Sequence, residues 1–285
     1  MPTLLALHAH PDDEASKGAG TVARYTDEGV RAVLVTATGG EEGDILNPAM
    51  DRPGIAERLP EIRSAELHAA AAILGYDEVI MLGYRDSGMP GTEANARPDA
   101  FVNAAPDDVL ERIVTVVRRV RPDIMLGYDD HEWYPHPDHV RVHDVSLEVF
   151  AASADPARFP DAGPAWEIAK LYAPVFSVER ITRLHTAMEQ RGLDSPFARW
   201  LDRVDGAEPT DRAITRIAVG SYIERGRDAL RAHRTQVDPD GFWFQVPTEI
   251  VQDVYPYEDF ELLASRVGPD TADDDLFSRA EAGVR

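Results

Sequence analysis

The sequence predicts an α/β fold built on a mostly parallel β-sheet, and three observations lead to this prediction. In the first half of the chain, short apolar runs typical of buried strands alternate with longer segments that have helical periodicity. Glycine or proline marks the ends of the helical segments. The two longest loops both follow predicted strands. Strands that alternate with helices of this length imply parallel pairing with right-handed crossover connections.

The predicted strands are short apolar runs such as TLLALHA, which starts at Thr3, and VRAVLVTAT, which starts at Val30. Turn-forming or helical segments bound each of them. The predicted strands lie at residues 3–9, 30–38, 77–83, 123–129 and 170–176.

The predicted helices end where the sequence supplies a stop signal. Gly29 and Gly75 are well placed as the residues that follow a helix C-cap. Pro60 should start or kink the second helix, and Pro122 stops the third. The predicted helices lie at residues 13–29, 55–75, 106–122, 177–190 and 222–233.

The alternation loosens after about residue 150, where the segment 154–166 is rich in Pro, Ala and Asp and is typical of a connection. We therefore predict a Rossmann-like domain over residues 1–165 and a smaller C-terminal α+β lobe over residues 166–285. The first would carry the metal-binding and catalytic groups discussed below, and the second would complete the substrate pocket.

Composition limits the classes of partner. The chain has 285 residues, 44% of them hydrophobic and 28% charged, as in an ordinary globular protein. Its formal net charge of −22 disfavours nucleic acid and anionic membranes as partners. There is no cysteine, so disulfides and thiolate metal sites are excluded. The sequence shows no signal peptide or long apolar segment, so we expect a cytoplasmic protein.

Two short segments combine histidines with acids directly after predicted strands. HAHPDDE begins at His8, and YPHPDH begins at Tyr134. Taken singly, each could be a helix start with a capping aspartate. Both lie at the carboxyl edge of the predicted sheet, where open α/β folds place their sites. Together they favour a metal site, in which two imidazoles and one carboxylate leave positions open for water and substrate.

These motifs resemble a known family. AHPDDE followed by a distant HPDH is similar to the signature of the PIG-L/LmbE-type zinc-dependent N-deacetylases and amidases. The resemblance covers nearly the whole chain, through stretches such as SKGAG, ILNPAMD, DSGMPG and RAHRTQVDP. It is strongest to the branch that cleaves mycothiol S-conjugates, while the related deacetylases share the metal motifs.

The resemblance implies an amidase for a small thiol–sugar conjugate, acting in detoxification. The products would be a mercapturic acid and glucosaminyl-inositol. The alternatives are an N-deacetylase of N-acetylglucosaminyl-inositol or a related small glycoside, and a tailoring amidase in natural-product biosynthesis. The sequence leaves open whether the protein is a monomer or a homo-oligomer.

The resemblance also implies residue roles. His10, Asp13 and His139 would be the ligands of Zn²⁺, with Fe²⁺ as an alternative metal in the cell. Asp12 would be the general base. Two further catalytic residues act on the oxyanion: His136 stabilises it, and Tyr134 donates a hydrogen bond to it. A third, Asp138, orients His136 and raises the pKa of His136.

Four residues are candidates for substrate contacts. The resemblance suggests that Glu41, Arg63 and Asp86 face the inositol–glucosamine part. Lys17, one helical turn beyond the metal motif, could contact the conjugate. The alternative for Arg63 is a surface ion pair with Glu61 or Glu66, and the alternative for Lys17 is a solvated helix lysine.

Two rival classes are weaker. Two histidines and one carboxylate also bind Fe(II) in oxygenases, but those sites normally lie on double-sheet barrels, which the alternating strands and helices contradict. A noncatalytic conjugate-binding protein would not need Asp12 and His136 beside the metal. We expect His8 to be a core or supporting residue, and the pair His139 and His143 to be too weak a motif to add a ligand.

Overall fold

The structure, a computed structural model, describes residues 1–130, 134–204, 213–268 and 274–280. Its centre is a mixed β-sheet of seven described strands. The strands are Thr3–His8 (β1), Arg31–Thr38 (β2), Glu78–Tyr84 (β3), Ile124–Leu126 (β4), Lys170–Val175 (β5), Ile214–Ala218 (β6) and Tyr257–Ser265 (β7).

The strand order is β3-β2-β1-β4-β5-β7-β6. The first five strands in the chain pair in parallel, and β7 runs antiparallel to both β5 and β6. The carboxyl ends of β1 and β4 are therefore neighbours at one edge of the sheet. This confirms the predicted α/β fold with a mostly parallel sheet flanked by helices.

Helices cover both faces of the sheet. Residues that alternate along β1 and β2 divide between two apolar clusters, with Leu4 and Leu34 in one and Leu5 and Val33 in the other. The described helices are Asp13–Ser16 (α1), Ala19–Asp27 (α2), Leu59–Leu74 (α3), Pro106–Val120 (α4), Pro137–Ala152 (α5), Val178–Gln190 (α6), Ala198–Val204 (α7), Ile223–Ala232 (α8) and Thr248–Val254 (α9).

The predicted stop signals are confirmed. Gly75 follows α3 with φ of 88°, a backbone angle that favours glycine. The YPHPDH segment does start a helix, with Pro137 as the first residue of α5. Its cap is His136, whose side chain accepts a hydrogen bond from the Asp138 amide, and not the aspartate considered as a cap. Ser177 caps α6 by accepting from the Arg180 amide.

The predicted single helix at residues 13–29 is wrong, because the segment forms two helices. Residues 13–29 form α1 and α2, separated at Lys17 and Gly18. Gly18 has φ of 82°, and a Cβ on it would lie 3.2 Å from the ring of Phe260. The Phe260 ring of β7 leaves little room for a side chain at this turn, and helical periodicity gives no sign of such a contact.

The C-terminal half contains elements that the sequence analysis did not predict, namely β6, β7, α7 and α9. β5, β6 and β7 join the same sheet as the N-terminal strands. A third apolar cluster, which includes Ile181, Leu184, Met188 and Ile250, lies between α6 and α9. The division of the chain at residue 165 stays a prediction. Among the described residues, no helix has both the length and the apolar character needed to cross a bilayer.

Candidate active site

The three residues expected to bind metal lie together at the carboxyl edge of the sheet. His139 Nε2 is 3.3 Å from both His10 Nδ1 and Asp13 Oδ1. His10 Nδ1 is 3.6 Å from Asp13 Oδ2. All three side chains are buried. Two imidazoles and a carboxylate thus converge within the span of one ion, although 126 residues separate Asp13 from His139 in the chain.

Local structure explains this convergence. β1 ends at His8, so the following residues emerge at the sheet edge. Asp13 opens α1, and its Oδ2 accepts a hydrogen bond from the His10 amide at 2.8 Å, which folds the loop onto the helix start. His139 lies in the first turn of α5, which follows the loop after β4.

Asp12 lies beside this cluster in an unusual conformation. Its φ of 115° is rare for a residue other than glycine, and such a conformation costs about 1–3 kcal/mol. The Asp12 amide donates to Glu14 Oε2 at 3.0 Å, and the Asp12 carbonyl accepts from the amides of Ala15 and Ser16. Arg63 Nη2 donates to Asp12 Oδ2 at 3.0 Å. Several contacts therefore hold the carboxylate next to the Asp13 ligand.

Arg63 is buried within the site. Besides Asp12, it donates to the carbonyls of Pro11 and Gly40, each at 2.6 Å. The alternative of a surface ion pair with Glu61 or Glu66 is wrong, because Glu61 pairs with Arg58 and Glu66 accepts hydrogen bonds from Thr235.

Asp138 contacts a different histidine from the one expected. Its Oδ2 is 3.1 Å from His10 Nε2 and accepts from the Ser87 amide at 3.0 Å. The His136 ring instead accepts from the Asp138 backbone amide, and burial lowers the pKa of His136. The geometry pairs the Asp138 carboxylate with His10, so the expectation that this carboxylate orients His136 is corrected. Asp138 does act to raise the pKa of His136, as expected, but burial outweighs it and the net shift is downward.

The remaining predicted residues surround the cluster. Asp86 Oδ1 is 3.6 Å from His10 Nε2, and the Asp86 amide donates to Glu41 Oε2 at 2.9 Å. Tyr134 is 56% exposed, with its ring centroid 5.6 Å from that of His139. The predicted substrate groups Glu41 and Asp86 thus lie on one loop pair next to the histidines.

Lys17 reaches directly into the cluster. Its Nζ donates to Asp13 Oδ1 at 2.8 Å and lies 5.2 Å from the centre of the Tyr128 ring. The alternative of a solvated helix lysine is therefore wrong.

Electrostatics favour a cation here. Burial opposes the charged form of His10, but the Asp138 and Asp86 carboxylates outweigh it and raise the pKa of His10 to about 10. Burial lowers the pKa of His139 to about 3. Although burial acts to raise it, Lys17 and His139 hold the pKa of Asp13 well below its ordinary value. A neutral His139 and an anionic Asp13 are the forms that bind a metal ion, whereas His10 must release its proton to do so, and the metal then takes over the positive charge that Asp138 and Asp86 favour.

The donor set fits a metal ion. His10, His136 and His139 offer one ligand atom each within 4.8 Å of one another, and so do His10, Asp86 and Asp138. Asp13, the predicted carboxylate ligand, is in neither group: it faces the two histidines through different oxygens, and its Oδ1 also accepts from Lys17. Asp138 Oδ1 is buried and has no hydrogen-bond partner among the described residues. Imidazole and carboxylate groups with no thiolate suit zinc, iron or similar divalent ions.

Sequence reasoning missed two supporting interactions. Tyr128 OH lies 3.1 Å from His8 Nδ1, and its ring packs edge-on against His139. Its position after β4 at the sheet edge could have indicated it. The fully buried pair of His233 and Glu14, 219 residues apart, gives no local signal. His8 is a buried supporting residue, as expected, and His143 Nδ1 contacts the Tyr128 carbonyl, which leaves His143 outside the ligand cluster.

The chain is similar to known proteins over nearly its whole length. The family model described as PIG-L, GlcNAc-PI de-N-acetylase, matches residues 5–150. The chain is 40% identical over 288 residues to a mycothiol S-conjugate amidase of Streptomyces coelicolor, covering 99% of this chain and 97% of the relative. It is also 40% identical over 285 residues to a 1D-myo-inositol 2-acetamido-2-deoxy-alpha-D-glucopyranoside deacetylase of Geodermatophilus obscurus, covering 96% and 97%.

Among solved structures, the N,N'-diacetylchitobiose deacetylase of Pyrococcus horikoshii matches with a TM-score of 0.62 and 19% identity, covering 92% of this chain and 83% of that one. This likeness concerns the fold. With the family match and the nearly full-length relatives, it leads to one conclusion: the chain belongs to the PIG-L family and is a hydrolase that acts on an amide.

Proposed function

We propose that the protein is a zinc-dependent amidase that cleaves the cysteinyl–glucosamine amide of mycothiol S-conjugates. The products are a mercapturic acid and glucosaminyl-inositol. The observation that carries the hydrolytic chemistry is the convergence of His10, Asp13 and His139, with Asp12 beside them.

A zinc ion held by His10, Asp13 and His139 would polarise the amide carbonyl and make hydroxide available near neutral pH. Asp12 accepts the proton of the attacking water, because its carboxylate lies next to the ligand cluster and is oriented by Arg63. The C–N bond then breaks, and the leaving amine takes up a proton from Asp12 or His136. Burial raises the pKa of Asp12 against the opposing charge of Arg63, which suits a general base better than an ordinary carboxylate.

The oxyanion that forms on the amide oxygen needs hydrogen-bond donors. His136 Nδ1 accepts a hydrogen bond from the Asp138 amide, so the neutral ring carries its proton on Nε2. This Nε2–H group can donate a hydrogen bond to the oxyanion. Tyr134 is exposed beside the histidines and can donate from its hydroxyl group. Asp138 orients the ligand His10, which is a supporting role.

The choice of an S-conjugate is supported by the similarity to the amidase of S. coelicolor. It is also supported by Lys17, because a lysine at this position is similar to the amidase sequences and its ammonium group lies at the site. Glu41 and Asp86 would accept hydrogen bonds from sugar hydroxyls, and their contacts with each other and with His10 beside the predicted ligands support this. The second candidate function is deacetylation of N-acetylglucosaminyl-inositol, which the similarity to the G. obscurus deacetylase favours.

An amine-release assay with purified zinc-loaded protein tests the choice between the two. We expect a much higher kcat/KM for a mycothiol S-conjugate than for N-acetylglucosaminyl-inositol. A preference for the acetylated sugar would assign the protein to the deacetylases.

A further inference from the structure

A cavity of about 140 Å³ adjoins the site on the side of Lys17. Its wall is formed by the turn between α1 and α2, by the carboxyl end of β5, by helices α6 and α8, and by β7. Because β5 is the neighbour of β4 in the sheet, this cavity opens along the same sheet edge as the metal cluster.

The inner wall of the cavity is apolar. Its buried side chains include Ile181, Leu184, Val219, Leu230, Val246 and Val251. At the mouth, Phe176 and Phe242 are 40% and 47% exposed, and both rings lie near that of Trp243. Exposed aromatic rings that frame an apolar cavity are typical of a binding site for an apolar group.

Three charged groups in the wall are engaged by other protein groups. Glu258 accepts hydrogen bonds from the amides of Gly20 and Thr21. Asp259 accepts from Tyr255 and Ser177, and Arg227 donates to Thr248 and Val246. Two further cations belong to the wall: the Arg180 guanidinium lies 5.5 Å from the centre of the Phe176 ring, and Lys17 pairs with Asp13. A ligand therefore meets a mainly hydrocarbon surface with positive charge beside it, which disfavours cationic groups.

Lys17 connects the cavity to the catalytic groups. It is part of the cavity wall, and its Nζ lies 2.8 Å from Asp13. In a cysteinyl amide three bonds separate the thioether sulfur from the amide carbon, and five bonds separate Cα from Nζ in a lysine. With its amide at the metal cluster, a substrate would therefore hold its sulfur alongside the Lys17 side chain. The substituent on the sulfur can then extend past Lys17 into the cavity.

Resting on the proposed function, we propose that this cavity binds the sulfur substituent of the conjugate and selects apolar, ring-sized groups. A cavity of about 150 Å³ lined by aliphatic and aromatic side chains is known to hold benzene, so the volume fits a benzyl group. The preferred substrates are conjugates of aromatic or alkyl electrophiles, and small or cationic substituents are handled poorly.

The test compares kcat/KM for S-benzyl and S-methyl conjugates of mycothiol. We expect the wild-type enzyme to favour the benzyl conjugate by about tenfold or more, the scale at which an apolar pocket discriminates. Val251→Phe fills the cavity and Phe242→Ala removes an aromatic side of its mouth, so each should lower this benzyl-to-methyl ratio by about tenfold. Phe242 is exposed, which keeps the test valid if Val251→Phe fails to fold.

Val178→Phe is the matched control, because Val178 is 45% exposed and lies outside the cavity wall. Its ratio should equal that of the wild type. A wild-type ratio near one, or ratios that neither variant changes, would overturn the cavity assignment while the amidase function stands. Release of amine from N-acetylglucosaminyl-inositol and from neither conjugate would overturn the proposed function and this inference with it.

Discussion

Arg63 binds the Asp12 carboxylate and, at the same time, the backbone of two loops, one of which carries the metal motif. Its guanidinium donates to Asp12 Oδ2, to the carbonyl of Pro11 and to the carbonyl of Gly40. One buried side chain on α3 thus joins the loops that follow β1 and β2 and fixes the carboxylate assigned as the base.

Removing the hydrogen bonds of Arg63 should reduce catalysis without removing the metal. We expect Arg63→Gln to lower kcat by about 10²-fold, because a misplaced general base loses much of its effect. The buried carbonyls left without a donor should also lower the free energy of unfolding by about 1–3 kcal/mol. Steady-state kinetics, metal analysis and urea unfolding measure these effects.

Arg58→Gln is the control for Arg63→Gln, since Arg58 forms an exposed ion pair with Glu61 at the start of the same helix. It should leave kcat and stability nearly unchanged. A wild-type kcat in Arg63→Gln would show that Asp12 needs no such positioning.

The adjacent acids should be separable by their effects on metal and rate. Asp13→Ala should lose zinc affinity, because Asp13 Oδ1 is the carboxylate atom that faces His139. Asp12→Ala should keep roughly stoichiometric zinc and lose kcat by about 10²-fold or more, the usual scale for a general base. Its KM should change less.

Metal analysis and kinetics on both purified variants decide this. If Asp12→Ala is isolated without zinc while Asp13→Ala keeps zinc and activity, the two roles are reversed.

Lys17 should matter for the substrate more than for the metal. We expect Lys17→Ala to lower kcat/KM for an S-conjugate by about tenfold at unchanged zinc content, because the ammonium lies between Asp13 and the apolar cavity. Arg24→Ala, on the next helix with an exposed Glu28 partner, serves as the control. Equal kinetics for Lys17→Ala and the wild type on several conjugates would remove Lys17 from the substrate site.

The buried pair of His233 and Glu14 predicts a pH-dependent contribution to stability. Burial acts to lower the pKa of His233, but the Glu14 carboxylate outweighs it and raises that pKa above the ordinary 6.5. A raised folded-state pKa contributes stability that is fully present below 6.5 and lost as pH rises through the folded value. A tenfold change in the proton affinity of a group corresponds to about 1.4 kcal/mol of stability.

His233→Gln should therefore cost more free energy of unfolding at pH 5.5 than at pH 9, measured by urea unfolding at both values. His68→Gln replaces an exposed histidine of α3 and controls for the loss of an imidazole. A cost that is the same at both pH values would mean that His233 is held only by packing.

The local patterns of the sequence determined the N-terminal half of this protein. Apolar runs and stop signals such as Gly75 locate β1 to β4 and most helices, because buried parallel strands and helix ends depend on nearby residues. The same rule that places loops after parallel strands at one edge brought His10 and His139 into one predicted site.

Only the tertiary structure decided the C-terminal strands and the contacts inside the site. β7 is antiparallel and partly buried, and its pairing with β5 and β6 is set by packing between distant segments. The Asp138 carboxylate contacts His10 and not the His136 ring, and the turn at Gly18 lies against the ring of Phe260. These last two contacts join residues more than a hundred positions apart in the chain, and no local periodicity can encode them.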